Sequence, residues 1–319
     1  MSDRPYLEFE KPIVELGKKI SDMKDFAVGE NLELSTEIVS MEKKLIKMRK
    51  EIYDNLSRWQ KVQLSRHPQR PYTLDYIKHI TTDFIELHGD RYFADDKAAV
   101  AGFAFIDDQP VMIVGQQKGR NTKEKLYRNF GMMHPEGYRK GLRLFYLAEK
   151  FNVPIVIFID TPGAFPGIGA EERGQAEAIA RNIREMFRIK VPIVIVIIGE
   201  GASGGALGVG IGDKVMMLEY SWYSVISPEG CAAILWRDAA KAPEAAEALK
   251  VTSGDLVDLK IIDKVIPEPM DGAHTNHKEA AMLVKEEIVE ALNEFKDKPV
   301  DVLLRERLEK YRKIGEYNE

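Results

Sequence analysis

The chain has 319 residues, with 46 Lys+Arg against 51 Asp+Glu and a formal net charge of −5 at pH 7. This near balance excludes a strongly basic nucleic-acid coat and a highly charged disordered tail, so no nucleic-acid partner is inferred. With 45% hydrophobic residues the chain can bury a sizeable core. The single cysteine, Cys231, excludes an intrachain disulfide and a four-cysteine zinc site, and it indicates a reducing compartment.

Nothing in the sequence resembles a secretion signal or a membrane anchor. The N-terminus lacks a basic start followed by an apolar stretch, and the apolar runs stay well below the roughly 18 residues that span a membrane. We therefore expect a cytoplasmic protein with no membrane partner.

Residues 1–70 are predicted to form an N-terminal helical arm. Apolar residues recur at steps of three and four between Ile38 and Trp59, with Lys and Glu between them, as in an amphipathic helix. Pro68 and Pro71 end this region. The arm either packs on its own domain or binds a partner. Because the remaining segments account for a self-contained core, we interpret it as partner-binding.

Residues 71–297 are predicted to form an α/β domain. Its three most apolar segments, 110–116, 153–161 and 191–199, have the β-branched composition of buried parallel strands. They start roughly forty residues apart, which indicates a weak internal repeat. Helical spacing is found at 138–151, 171–189, 232–236, 243–249, 255–259 and 276–296, further strands are expected at 215–223 and 261–266, and residues 298–319 form a C-terminal helix.

The segment Gly199-Glu-Gly-Ala-Ser-Gly-Gly-Ala206 is the most informative candidate site. It follows a buried strand, and we expect it to lead into a helix at 206–212. Glycines allow a ligand to approach the backbone, and the free N–H groups at a helix start favour an anion. The sequence therefore predicts an oxyanion-binding site. Tight packing of a helix on the sheet is the alternative.

The same segment also matches the G-x-S-x-G pattern of serine hydrolases, with Ser203 as the nucleophile. Such a serine needs a histidine base. His274 and His277 are the only histidines after it, and both lie in a polar turn. A hydrolase stays open as an alternative, although we interpret Ser203 as a helix cap.

Two further loops follow neighbouring strands. Residues 160–169 hold three glycines and two prolines, which predicts a rigid wall beside the glycine segment. Residues 116–125 place four cations within eight residues, which suits a phosphate or carboxylate. A further loop spans residues 227–231. In it, Glu229 can line a pocket without a role in proton transfer, and Cys231 is interpreted as a small buried residue.

Several long motifs together resemble one family. RPYTLDYI, KGR-x-TKEK, GMxxPEGYRK, IDTPGAFPGIGAEERGQ, GEGASGGA and YSVISPEGCAAILW are similar to the α subunits of bacterial acetyl-CoA carboxylase carboxyltransferase, over roughly residues 4–297. The resemblance implies a crotonase-like α/β fold, a superhelix of ββα units, preceded here by the helical extension.

The resemblance also implies an activity and partners. In this family an α2β2 assembly moves the carboxyl group of carboxybiotin to acetyl-CoA, which gives malonyl-CoA for fatty acid synthesis. Biotin is attached to the biotin carboxyl carrier protein and is loaded by biotin carboxylase, and the β subunit carries a four-cysteine zinc module.

The implied site residues follow from the same likeness. The N–H groups of Gly204 and Gly205 are expected to hold the biotin ureido oxygen. Lys118, Arg120, Gly163 and Ala164 are expected to contact substrate. A non-catalytic scaffold subunit remains a further alternative.

Overall fold

The computed structural model describes residues 5–30 and 35–315. Within them, eight strands form one sheet: β1 (Thr82–Glu86), β2 (Ala99–Ile106), β3 (Gln109–Gln116), β4 (Ile155–Thr161), β5 (Ile193–Ala202), β6 (Lys214–Leu218), β7 (Trp222–Ser224) and β8 (Lys264–Ile266). The strand order is β1-β2-β3-β4-β5-β6-β8, and β7 pairs with the end of β5. β1, β2 and β3 pair antiparallel, whereas all other pairs are parallel.

The same part of the chain forms fourteen α-helices. They are α1 (Lys11–Glu30), α2 (Ser35–Asp54), α3 (Arg58–Ser65), α4 (Thr73–Ile80), α5 (Thr122–Tyr127), α6 (Pro135–Phe151), α7 (Ile168–Glu172), α8 (Gln175–Met186), α9 (Ser203–Leu207), α10 (Pro228–Trp236), α11 (Ala242–Leu249), α12 (Ser253–Asp258), α13 (His277–Phe295) and α14 (Val300–Arg312).

The three strands predicted from apolar runs are confirmed as β3, β4 and β5, which start at residues 109, 155 and 193. Side chains alternate between the two faces of a strand. Ile155, Ile157 and Ile159 of β4 join the core cluster that also holds side chains of α6 and α8. Val156 and Phe158 join the cluster that holds side chains of α4 and α13. Both faces are therefore covered, as the apolar composition predicted.

Four predicted elements differ from the structure. The helix expected at 171–189 is divided into α7 and α8 by Gly174, which has φ +82°. The helix expected at 206–212 is α9, which starts and ends earlier. The strand expected at 215–223 is two strands, because the chain turns after β6 and β7 pairs with β5. The helix expected across 38–59 is interrupted before α3, where Ser57 accepts a hydrogen bond from the N–H of Gln60.

The predicted arm is only partly separate from the sheet. α1 and α2 pack on each other and on a small apolar cluster that includes Tyr53 and Tyr220. α3, in contrast, contacts β5 and β7, and Val62 is fully buried in the main core. The Arg70 guanidinium is also buried, where it pairs with Glu268 at 2.6 Å. The end of the arm thus belongs to the core, and a partner-binding role of α1 and α2 stays a prediction.

The C-terminal helix is anchored by one buried arginine. All five N–H groups of Arg307 are used: they donate to Asp213 and to the carbonyls of Met186, Ile189 and Val191 at 2.6–3.0 Å. Buried charges need such complete pairing. Among the described residues, no helix combines the length and apolar character needed to cross a bilayer.

We predict that Arg307→Ala destabilises the protein by about 3–5 kcal/mol, because it leaves the Asp213 carboxylate and three carbonyls without their donor. Arg305→Ala, on the exposed side of the same helix, is the matched control and should change stability by less than about 0.5 kcal/mol. Urea denaturation of the purified chain measures both. Equal effects of the two substitutions would contradict the anchoring role.

Candidate active site

Three loops meet where neighbouring parallel strands end. β3, β4 and β5 lie side by side, and Thr161 at the end of β4 pairs with Gly201 near the end of β5. The loop after β3 begins at Gln117, the loop after β4 contains Gly163, and β5 leads directly into α9. This edge of a parallel sheet is where ligands bind in open α/β folds.

The turn from β5 into α9 presents two backbone donors. Ser203 has φ +57°, which turns the extended strand abruptly into the helix. Gly204 and Gly205 occupy the first turn of α9, so their N–H groups have no acceptor inside the helix. The glycine pattern predicted backbone donors at this turn, and anion binding by them stays a prediction.

Gly205 also lies against the loop after β4. A Cβ atom at position 205 would be 2.3 Å from the carbonyl carbon of Gly163 and 2.5 Å from the nitrogen of Ala164. At Gly204 the same atom would meet nothing closer than Ile179, at 3.7 Å. The two glycines therefore have different roles: Gly205 permits close approach of two main chains, whereas a methyl group at Gly204 would make ordinary van der Waals contact.

The Lys118 ammonium is held between two buried carboxylates behind this turn. Its Nζ lies 2.6 Å from Asp160 Oδ1 and 2.6 Å from Glu200 Oε2. Burial opposes the charge on Lys118, but the two carboxylates prevail and raise its pKa above the usual range. The lysine thus stays charged and is occupied by its two partners.

The pKa values of the two carboxylates shift in opposite directions. Burial raises the pKa of Asp160, whose cationic partner Lys118 is shared with Glu200. Burial also acts on Glu200, but Lys118 and the Arg66 guanidinium at 2.6 Å together lower its pKa. Arg66 continues the network to Glu229 at the start of α10. Charges from five separate segments are thus linked behind the site.

Arg120 is the more accessible of the two predicted cations. Its guanidinium pairs with Asp75 and lies over the Tyr72 ring, with the Cζ 4.9 Å from the centroid. Its side chain is 38% exposed, against 13% for Lys118. Both remain predicted substrate contacts, and the structure brings both to the edge where the strands end.

Sequence reasoning missed the residues that support the glycine turn. Asp160 and Glu200 lie close to the ends of β4 and β5. Polar side chains at the ends of parallel strands commonly line a binding site. Gln116, which ends β3, gives the same signal. Arg66 gives none, because its contact with Glu200 spans 134 positions of the chain.

The interpretation of Ser203 as a helix cap is wrong. The residue at the N-cap is Ala202, and no side chain caps α9. The hydrolase alternative is not favoured either, because both downstream histidines are engaged elsewhere. His277 Nε2 lies 2.6 Å from the carbonyl oxygen of Gln69, and the His274 ring lies tilted against the His67 ring, with the centroids 3.9 Å apart. Cys231 is buried beside Ala232, in agreement with its predicted role.

One group of described side chains is close enough to share a metal ion: ligand atoms of Glu10, His67 and His274 lie within 4.8 Å of one another. Both His67 nitrogens already have backbone partners, the Pro5 carbonyl and the Gln69 N–H. Glu10 accepts from the Tyr53 hydroxyl at 2.6 Å. These contacts make the group a junction between the arm and the core.

Comparison with solved structures identifies the class of the fold. A chain of transcarboxylase 12S superposes with a TM-score of 0.58 at 21% identity, over 72% of this chain and 42% of that chain. A chain of a Pseudomonas malonate decarboxylase hetero-tetramer in complex with coenzyme A gives a TM-score of 0.55 at 16% identity, over 66% and 84%. The fold is that of the crotonase-like carboxyltransferases, and the fold class implied by the sequence motifs is confirmed.

Sequence comparison narrows this class to one family. The family model described as acetyl co-enzyme A carboxylase carboxyltransferase-like matches residues 6–315. The acetyl-coenzyme A carboxylase carboxyl transferase subunit alpha of Geobacter metallireducens is 58% identical over all of both chains. That of Chlorobium phaeobacteroides is 55% identical, also over all of both chains. The chain therefore belongs to the family of acetyl-CoA carboxylase carboxyltransferase α subunits, and its predicted activity class is confirmed.

The different surroundings of the two glycines give a testable contrast. Gly205→Ala forces the Gly163–Ala164 loop away from the turn, and we expect carboxyl-transfer activity to fall about a hundredfold, since displacements of about 1 Å at a reacting centre have that effect. Gly204→Ala finds van der Waals space and should keep activity within about fivefold of the parent. Steady-state kinetics of carboxyl transfer by the two variants measure this contrast. Equal losses of activity would contradict the different roles of the two glycines.

Ser203→Ala is expected to retain carboxyl-transfer activity, because the hydroxyl has neither a cap role nor a histidine partner. The parent protein should also resist labelling by a fluorophosphonate, which reacts with activated serines. Labelling at Ser203 together with loss of activity in the alanine variant would restore the hydrolase alternative.

Proposed function

We propose that this chain, together with a β subunit in an α2β2 assembly, transfers the carboxyl group of carboxybiotin to acetyl-CoA and so produces malonyl-CoA. Biotin is delivered on a biotin carboxyl carrier protein after loading by a biotin carboxylase. The observation that carries the proposal is the position of Gly204 and Gly205 in the first turn of α9, where their N–H groups have no acceptor inside the helix and Gly205 lies against the Gly163–Ala164 loop.

Carboxyl transfer creates negative charge on two oxygen atoms. The ureido oxygen of biotin gains charge as the carboxyl group departs, and the thioester oxygen gains charge as the acetyl methyl group loses a proton. We assign the first oxygen to the N–H groups of Gly204 and Gly205 and the second to the β subunit. A well-placed donor of this kind contributes roughly 3 kcal/mol of transition-state stabilisation.

The residues around the turn leave the backbone accessible to the ureido group of biotin. Gly204 is half-buried, so a ring can reach its N–H group at the start of α9. Gly163 and Ala164 form the opposite wall. When bound, biotin supplies the carboxyl group and then a ureido anion basic enough to accept the methyl proton. This chain therefore need not provide a side-chain base, in keeping with a turn built from glycine.

The two predicted cations take different parts in this proposal. Lys118 keeps Asp160 and Glu200 in place with two of its three N–H donors, which leaves one for a substrate carboxylate. Arg120, at the rim, has the exposure needed to contact a CoA phosphate. Guanidinium groups bind phosphate through two parallel hydrogen bonds.

The partner subunit is expected to complete the site and to carry the zinc. The single cysteine of this chain lies buried in α10, so a four-cysteine zinc site must be elsewhere. The malonate decarboxylase similar to this chain in fold is itself a hetero-tetramer. Both points favour a catalytic centre that is shared between two different polypeptides.

Co-expression with the cognate β subunit tests the proposal. The purified complex should decarboxylate malonyl-CoA in the presence of free biotin, whereas this chain alone should not. The Gly205→Ala complex is the control, and it should assemble normally but turn over about a hundredfold more slowly. An unchanged rate in that complex would favour the scaffold alternative, and an inactive parent complex would overturn the proposed function.

A further inference from the structure

The carbonyl of Gly205 is held from behind by two buried side chains. Gln116 Nε2 donates to the Gly205 oxygen at 2.8 Å, and the Tyr138 hydroxyl donates to the same oxygen at 3.2 Å. Both side chains belong to residues with no exposed surface. They reach α9 from different elements, Gln116 from the end of β3 and Tyr138 from α6.

This carbonyl needs such donors because α9 is too short to supply one. In a longer helix the N–H of Val209 would donate to Gly205, four residues earlier. Here the Val209 N–H donates to the Ala206 carbonyl instead, at 3.2 Å. A buried carbonyl without a partner is costly. The two side chains satisfy it and, in doing so, fix the orientation of the peptide that follows the anion-binding N–H groups.

Gln116 also contacts the strand that leads into the Gly163–Ala164 loop, on the other side of the site from α9. Its Oε1 accepts a hydrogen bond from the N–H of Asp160 at 3.1 Å, at the start of the loop that carries Gly163. A single amide at the end of β3 therefore joins β4 to α9, the helix that follows β5. Since Gly205 and the Gly163–Ala164 backbone nearly touch, a shift of either loop changes the shape of the anion site.

We propose that Gln116 and Tyr138 are positioning residues for the anion-binding turn. They align the Gly204 and Gly205 N–H groups through the Gly205 carbonyl and do not contact substrate. This inference rests on the proposed function, because it assumes that those N–H groups stabilise charge in the transition state.

The test uses the complex with the β subunit and measures kcat and KM for malonyl-CoA decarboxylation. Gln116→Met keeps the length of the side chain but removes its hydrogen bonds, and kcat should fall about tenfold to a hundredfold. Tyr138→Phe removes only the hydroxyl, and kcat should fall about threefold to tenfold. KM for malonyl-CoA should change by less than about twofold in both, because the lost alignment acts in the transition state.

A matched control lies on the same helix as Tyr138. The hydroxyl of Tyr146 donates to Glu185 at 3.0 Å, far from the turn, and its ring is partly exposed. Tyr146→Phe should leave kcat unchanged. Thermal denaturation of each assembled complex distinguishes a positioning role from a structural one. A purely structural role lowers the melting temperature, but it leaves kcat of the folded complex unchanged.

The double variant of Gln116→Met and Tyr138→Phe gives the sharpest result. In each single variant the other donor still holds the carbonyl, so the double loss in kcat should exceed the product of the single losses. The inference would be overturned if kcat fell no further than in the Tyr146→Phe control, or if only KM changed. In either case an active parent complex would still support the proposed function. An inactive parent complex would overturn both.

Discussion

The site depends on the contact between two main chains that no side chain separates. Gly205 and the Gly163–Ala164 backbone approach so closely that even one added methyl group would overlap with them. The contact is possible because β4 and β5 are adjacent and parallel, so their loops emerge at the same edge. The Gln116 amide bonds to Gly205 on one side and to Asp160 on the other, and Lys118 joins Asp160 to Glu200.

Much of this arrangement could be predicted from the sequence, because its signals are local. Apolar runs predicted the three central strands, and the glycine pattern predicted backbone donors after β5. The length of α9 could not be predicted, since the small residues at 206–212 are compatible with a helix but its end is set by tertiary contacts. Gln116 and Tyr138 take the place of the missing helical donor, and neither contact has a sequence signature.

The end of the arm escaped prediction for the same reason. Helical spacing up to Trp59 indicated an amphipathic helix but not which surface its continuation would cover. α3 is held by the sheet, and Arg66, directly after it, pairs with Glu200 at the end of β5. A boundary at residue 70 follows the prolines in the sequence, whereas the packing divides the arm within itself, between the α1–α2 hairpin and α3.

The charge network is the reason why we assign anion binding in the proposed function to the backbone. Arg66 and Lys118 supply two cations, while Asp160, Glu200 and Glu229 supply three carboxylates. The Lys118 ammonium and the Arg66 guanidinium are thus already neutralised by carboxylates. Burial raises the pKa of Asp160, because the one cation that it shares does not fully balance its charge. Side-chain charge behind the turn offers no net attraction to an oxyanion. Fixed N–H dipoles do, and they need no reorganisation when charge develops. In the proposed function the network fixes the loops in place, and the glycine N–H groups bind the charge.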